Sequence, residues 1–284
     1  MSGGNPGPVV RSSGRPVVLL GCGVVGMLTA RILLDQGAQV VGVRRRPIAD
    51  VRAGDQAPVP GHHATFTMVT GDAADPAVLD QCGSPEAVLL CASPGLRRGR
   101  DNGLERIAAA VTARWPACRF VYTGSTAVYA DLDGGDADED AAVASEDPAV
   151  AGLLAIERAV LAHPHALVLR ATALVGPNRT HARERLAAGA GTVTGDPDRP
   201  FSWLHDHDLA ELAAAALGGA FGCGILNAAA PGRLSLRDYY QHHADVLGLR
   251  LMLHSDGRPA PRRRIDARRL HALTGTRTWR GIAD

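Results

Sequence analysis

The sequence predicts an α/β fold, a doubly wound parallel sheet with a smaller C-terminal lobe, and three observations carry that reading. Short apolar runs alternate with amphipathic stretches over most of the chain, the pattern of strands joined by crossover helices. The first such run opens directly into the glycine turn "GCGVVG". From about residue 175 the alternation loosens, so the layered domain is expected over 15–174 and the smaller lobe, partly interleaved with the sheet, over 175–284.

The opening "MSGGNPGPVVRSSGRP" is polar and rich in Gly and Pro; residues 1–14 are expected to form a disordered tail rather than a signal peptide, because an apolar h-region is missing. "RPVVLLGCGVVGMLTARILLDQGAQVVGVRRR" then reads as strand, helix, strand. Val24, Val25, Leu28, Ile32 and Leu33 recur at helical spacing, and Gly37 stands where a helix stops. Later strands are expected at "TFTMVTGD", "AVLLCASP", "RFVYTGS" and "ALVLRATALVGP", with helices at "NGLERIAAAVTARW" and "VAGLLAIERAVLA". The acidic stretch 131–147 reads as a solvated loop, since its Asp spacing does not match a calcium loop. In the lobe, "FSWLHDHDLAELAAAALGGA" suggests a strand leading into a helix, "GILNAAAP" a strand and turn, and "LRDYYQHHADVLGL" a helix with His242 and His243 at its surface. The arginine-rich end is expected to form a short helix.

Composition narrows the function. A formal net charge of +1 provides no global field for a polyanion or a charged membrane, so a small-molecule substrate is expected, with neither nucleic acid nor membrane as partner. With no apolar run of membrane-spanning length, a cytoplasmic location is expected. The scattered Cys22, Cys82, Cys91, Cys118 and Cys223 form no CxxC pair and read as reduced thiols, not a zinc site. All 30 basic residues are arginine, so there is no lysine in the chain.

The turn supplies Gly21, Cys22, Gly23, Val24, Val25 and Gly26 between a predicted strand and a predicted helix. In that context the first glycine permits the tight turn, the second admits a pyrophosphate to the bare backbone, and the third lets helix and strand pack closely. The helix N-terminus presents N–H donors to the anion. This is a Rossmann-type nucleotide site. An acidic residue at the end of the second strand would select NAD; the chain has Arg44, Arg45 and Arg46 there. Guanidinium groups suit a 2′-phosphate, so NADP is the expected cofactor.

With these residues in view, the sequence resembles the extended and atypical short-chain dehydrogenase/reductases, in the branch similar to NAD-dependent epimerase/dehydratases. "GDAADP" resembles the segment whose first aspartate contacts adenine, which implies that role for Asp72. "CASPG" resembles the segment lining the cofactor, through Ala92 and Ser93. "GSTAVYAD", "LRATALVGPNR", "WLHDHDLA" and "ILNAAAPGRLSLRDYYQHHADVLGL" resemble further family segments in the family's order. The resemblance implies a tyrosine in Y-x-x-x-K as the group that moves a proton at the substrate, its phenol made acidic by the lysine. Ser125 matches the hydroxyl that holds the substrate. Anchored on Glu157, the positions of the pair fall on Ala149 and Leu153, and no alignment can supply a lysine.

The catalytic candidates are therefore Ser125, Tyr129 and His205. Tyr129 reads either as a weak replacement acid or as a core residue kept by packing, and His205 titrates near working pH. Thr126, Arg179 and Arg183 are the substrate-binding candidates, the arginines as clamps for a carboxylate or phosphate or, equally open, as a solvated helix face. His205 and His207 would face one side of a strand and could meet one ion, but the resemblance offers an ordinary interlobe position instead, and no metal is assigned. The expectation is an NADPH-dependent oxidoreductase reducing a small-molecule C=N or C=O group. A redox-neutral cyclase, lyase or isomerase and a non-catalytic NADP sensor are the alternatives, and the resemblance allows a homodimer.

Overall fold

The computed structural model describes residues 14–46, 65–96, 101–130, 134–255 and 261–284. The expected tail, apart from Gly14, lies outside them. In chain order the elements are β1 (Val17–Leu20), α1 (Val24–Asp35), β2 (Val40–Arg44), β3 (Phe66–Thr70), α2 (Pro76–Asp80), β4 (Ala87–Leu90), α3 (Leu104–Arg114), β5 (Arg119–Ser125), β6 (Asp136–Ala137), α4 (Pro148–Leu161), β7 (Ala166–Ala171) and β8 (Ala173–Val175). There follow α5 (His181–Ala188), β9 (Thr192–Thr194), β10 (Pro200–Phe201), β11 (Trp203–His205), α6 (Asp206–Leu217), β12 (Gly224–Ala228), β13 (Leu234–Ser235), α7 (Leu236–Leu247), β14 (Met252–His254), β15 (Arg264–Ile265) and α8 (Arg268–Thr274).

Seven strands form one sheet in the order β12-β7-β5-β4-β1-β2-β3. The pairs β2–β3, β1–β2, β1–β4 and β4–β5 are parallel. "VVLL" and "AVLL" form β1 and β4 because both are buried along their whole length; a strand covered on both faces needs a continuous apolar run, not alternation. Helix starts follow local chemistry. Asp75 and Asp147 each accept a hydrogen bond from the backbone N–H two residues on, ahead of Pro76 and Pro148, since an aspartate satisfies a free donor and proline needs none at the first helical position. The strand order reverses at β1, whose neighbours are β2 and β4. At such a switch point the carboxyl ends of the strands leave a crevice for a ligand.

The chain divides into two compact units. The first comprises the described residues up to Val128 together with Ser145–Arg170 and Leu209–Leu226; the second comprises Tyr129–Ala144, Ala171–Asp208 and Asn227–Asp284. Within the second unit the loop after Tyr129 is fastened to sequence-distant segments, because β6 pairs with β15 and Asn227 binds both. Asn227 donates through Nδ2 to the carbonyls of Ala137 and Asp266, and its N–H donates to the Glu139 carboxylate.

In the first unit, Val18, Leu20, Val88, Leu90, Phe120, Tyr122 and Val168 of the sheet pack with Leu104, Ile107, Val111, Ile156 and Val160 of α3 and α4. In the second, α5 and α7 pack through Ala182, Leu186, Leu236, Tyr240 and Ala244. Among the described residues, no helix is long and apolar enough to cross a membrane.

Candidate functional site

A cavity of about 610 Å³ opens at the β1/β4 switch point of the first unit. It is lined by Gly21, Cys22 and Gly23 of the glycine turn, Arg44, Arg45 and Arg46 at the end of β2, Asp72 after β3, and Ala92 and Ser93 after β4. Residues that the sequence separates by seventy positions thus meet around one space. Val24, Val25 and Gly26, grouped with them from sequence, do not line it; Val25 and Gly26 are buried in the packing of α1.

The glycines act as their spacing suggests. Gly21 has φ +112°, and a Cβ there would stand 2.6 Å from the backbone N of Ala92. At Gly26 a Cβ would stand 2.4 Å from the carbonyl oxygen of Gly21, so only glycine lets α1 approach the turn this closely. Gly23 caps α1 with no side-chain hydrogen bond to the helix, leaving first-turn N–H donors for an anion. Opposite them, Arg44, Arg45 and Arg46 bring three guanidinium groups and no carboxylate to the end of β2. Asp72 accepts the N–H of Ala74 at 3.0 Å, which fixes its carboxylate at the rim. The cavity, its bare donors and its cations fit a dinucleotide and its pyrophosphate in size and charge.

The two thiols of this site are not nucleophiles. Burial pushes Cys22 up to about 11. It also raises Cys91, whose Sγ donates to the Gly21 carbonyl at 2.9 Å. A thiol held neutral is unreactive. All five cysteines are free.

The catalytic candidates separate. Ser125 ends β5 half-buried, and its Oγ accepts the N–H of Ala127 at 3.2 Å, so its hydroxyl proton remains available to a substrate. Thr126 is buried in the following 3-10 turn. Tyr129 is 1 % exposed, and its hydroxyl donates to Asn227 Oδ1 at 2.6 Å within the second unit. His205 is likewise enclosed. It is buried, its Nδ1 accepts the N–H of His207 at 3.1 Å, and burial lowers its pKa despite the nearby charges of Asp206 and Asp208. A neutral imidazole without solvent contact is a poor proton carrier. The strand argument that joined His205 to His207 also fails, because β11 stops at His205 and α6 begins at Asp206. His243, expected at a helix surface, is buried.

Arg179 and Arg183 lie before and within the first turn of α5. The Nε of Arg179 faces the Asp206 carboxylate at 3.7 Å, and Arg183 donates to the Pro177 carbonyl at 3.4 Å. Sequence reasoning weighed Asp206 only as a metal ligand beside His205 and His207, and it overlooked Asn102, Leu104 and Ile107 as lining of the dinucleotide-sized cavity. Asn102 donates to the Ser93 carbonyl, a contact between two loops that no local pattern announces.

The family model for the NAD dependent epimerase/dehydratase family matches residues 17–222. The chain belongs to that family. Having no lysine, the chain cannot carry a Tyr/Lys pair; the positions that the resemblance implies for it hold Ala149 and the buried Leu153 of α4. Solved structures of the same fold include the Bordetella bronchiseptica enzyme WbmH in complex with NAD+, at 20 % identity and TM-score 0.75 with 95 % of each chain covered. MoeE5 in complex with UDP-glucose and NAD has 20 % identity and TM-score 0.73, covering 94 % of this chain and 95 % of that one. dTDP-glucose 4,6-dehydratase from Bacillus anthracis in complex with NAD has 15 % identity and TM-score 0.71, covering 91 % and 90 %. Among curated protein sequences none matches the chain.

Proposed function

We propose that this epimerase/dehydratase-family enzyme is an NADP-dependent reductase of a small-molecule C=N or C=O group. The observation that carries the reading is the single cavity in which the glycine turn faces Arg44, Arg45 and Arg46. Similar folds are named as complexes with NAD, which supports a nicotinamide dinucleotide; the arginines support the phosphorylated form, since a guanidinium forks onto a 2′-phosphate. Gly21, Gly23 and the α1 N-terminus would hold the pyrophosphate, Arg44 and Arg45 the 2′-phosphate, and Asp72 the adenine. When bound, NADPH supplies a hydride.

What the chain's own residues contribute at the reacting end is sparse. Without lysine there is no ammonium to stabilise a phenolate, and Tyr129 is engaged elsewhere. Ser125 is the hydroxyl left to hold the substrate. Such a site suits a protonated C=N, which already bears positive charge, better than a carbonyl, whose developing oxyanion needs stronger donors. Within the second unit, Arg179 and Arg183 are the candidates to bind an anionic group of the substrate.

Fluorescence titration tests the reading. NADPH should bind at least about 10-fold tighter than NADH, the worth of one good charge-assisted contact, and Arg44→Ala/Arg45→Ala should erase the difference. Equal affinities in the wild type, or no binding of either, would refute it. NADPH consumed one-for-one with product distinguishes a reductase from a redox-neutral enzyme.

A further inference from the structure

Asp206 and Asp208 are both fully buried, yet they are treated differently. Asp208 accepts from Arg277 Nη2 at 2.8 Å, Arg280 Nη1 at 2.5 Å and the Arg280 N–H at 2.9 Å. Asp206 accepts no hydrogen bond at either oxygen among the described residues. Its neighbours are Arg179 Nε at 3.7 Å and His205 Nδ1 at 3.3 Å; that imidazole nitrogen already accepts from His207 and offers the carboxylate nothing. Withdrawing a carboxylate from water without hydrogen bonds is unfavourable, so the fold alone gives no reason for this one.

The surrounding geometry supplies a reason. Gly176 leaves the space that the carboxylate fills: a Cβ there would stand 2.6 Å from Asp206 Oδ1. The same glycine closes a turn, its carbonyl accepting the N–H of Arg179 at 2.9 Å. Arg179 is thus held at its backbone by the turn and at Nε by the charge of Asp206. Its side chain is still 32 % exposed, and its buried Nε makes no hydrogen bond among the described residues, so Asp206 orients the guanidinium by charge alone. A guanidinium oriented by one buried carboxylate, on a side chain one-third exposed, can present its fork to a bidentate oxyanion.

We infer that Asp206 is a positioning residue, which fixes Arg179 as the clamp for a carboxylate or phosphate group on the substrate. The inference rests on the reading above that Arg179 is a substrate-binding candidate, and it narrows that substrate to an anion. Pre-organising one long side chain removes ordering entropy from the binding step. The arrangement has a distinctive consequence. Coulomb's law alone makes a buried negative charge beside an anion site unfavourable, so removing it should tighten binding; positioning requires the reverse.

The experiment titrates inorganic phosphate by calorimetry into the full chain carrying Arg44→Ala/Arg45→Ala, which removes the first unit's cations whether or not NADP binds there. One saturable site is expected. Arg179→Ala should weaken it by about 10-fold or more, and Asp206→Asn by about 3- to 10-fold, the range of lost charged contacts and lost pre-organisation. Once Arg179 is alanine, Asp206→Asn should have no further weakening effect. The melting temperature of Asp206→Asn should hold or rise, since a buried charge without hydrogen bonds is removed. Phosphate bound as well or better by Asp206→Asn, a site unmoved by Arg179→Ala, or only diffuse non-saturable binding would overturn the inference, as would a melting temperature that falls together with the phosphate response. NADP binding, read separately on the wild type, decides the cofactor reading independently.

Discussion

Ser125 and Tyr129 lie four residues apart in one hydroxyl-rich motif, and the structure gives them different work. Asn227 is saturated: Oδ1 accepts from Tyr129, both Nδ2 protons go to carbonyls, and the main-chain N–H goes to Glu139. Tyr129→Phe would leave Asn227 Oδ1 buried without that donor, a loss of about 1–3 kcal/mol. Urea denaturation should register that loss while kcat stays within about 2-fold of wild type, since the phenol touches no reacting atom. For Ser125→Ala the expectation reverses: stability changes little, and kcat with the true substrate falls by about 10²-fold, the lower range for a lost proton-handling group. The glycine turn was legible in the sequence because the strand it ends and the helix it opens lie within a few residues of it. Tyr129 was not, because its partner is 98 residues distant and no local pattern encodes that contact.

At the level of elements, α4 is tied to β7 by charge. Glu157 and Arg170 are both buried and share three hydrogen bonds of 2.8 to 3.2 Å. Removing one partner strands the other, so Glu157→Gln should destabilise the fold by about 3–5 kcal/mol, while an apolar replacement of both should cost less; chemical denaturation of the two variants tests the ordering. The α7 helix carries a pH-dependent term. Burial, with help from His242 and from Arg183 on α5, lowers His243 to about 4. Because the unfolded chain takes up this proton near 6.5 and the folded chain resists until about 4, the contribution is complete above pH 6.5 and is lost as pH falls through that window. Melting temperatures of wild type should therefore decline from pH 6.5 toward 4 more steeply than those of His243→Gln. Sequence periodicity located α7 but placed His243 at its surface, since periodicity alone does not reveal that Tyr239 packs edge-on against it at 4.8 Å. The two-residue strands that hold the second unit together are too short to leave a pattern.

Across the whole molecule, the alternation of apolar runs conveyed the sheet and its helices, whereas the partition into units depended on contacts at long range. The segment 129–144 joins residues beyond 227, and Leu209–Leu226 returns to the first unit; neither exchange has a local signature. One global property needs no structure at all. With 30 arginines and no lysine, every side-chain cation other than a protonated histidine is a guanidinium, which stays charged throughout the working range. No ε-amino group exists to form a Schiff base or to lower the pKa of a phenol, so acylation of amines should leave turnover unchanged. An arginine-selective dicarbonyl such as phenylglyoxal should instead abolish NADPH binding, and saturating NADPH present during the reaction should protect it, because the exposed Arg45 and Arg46 line the cavity. Activity lost on amine acylation would mean that an amine outside the side chains acts in the reaction, and the account of chemistry without a lysine would fail. Protection by NADPH but not by NADH would trace the effect to the 2′-phosphate, since that group is the difference between the two nucleotides that the guanidinium fork can read.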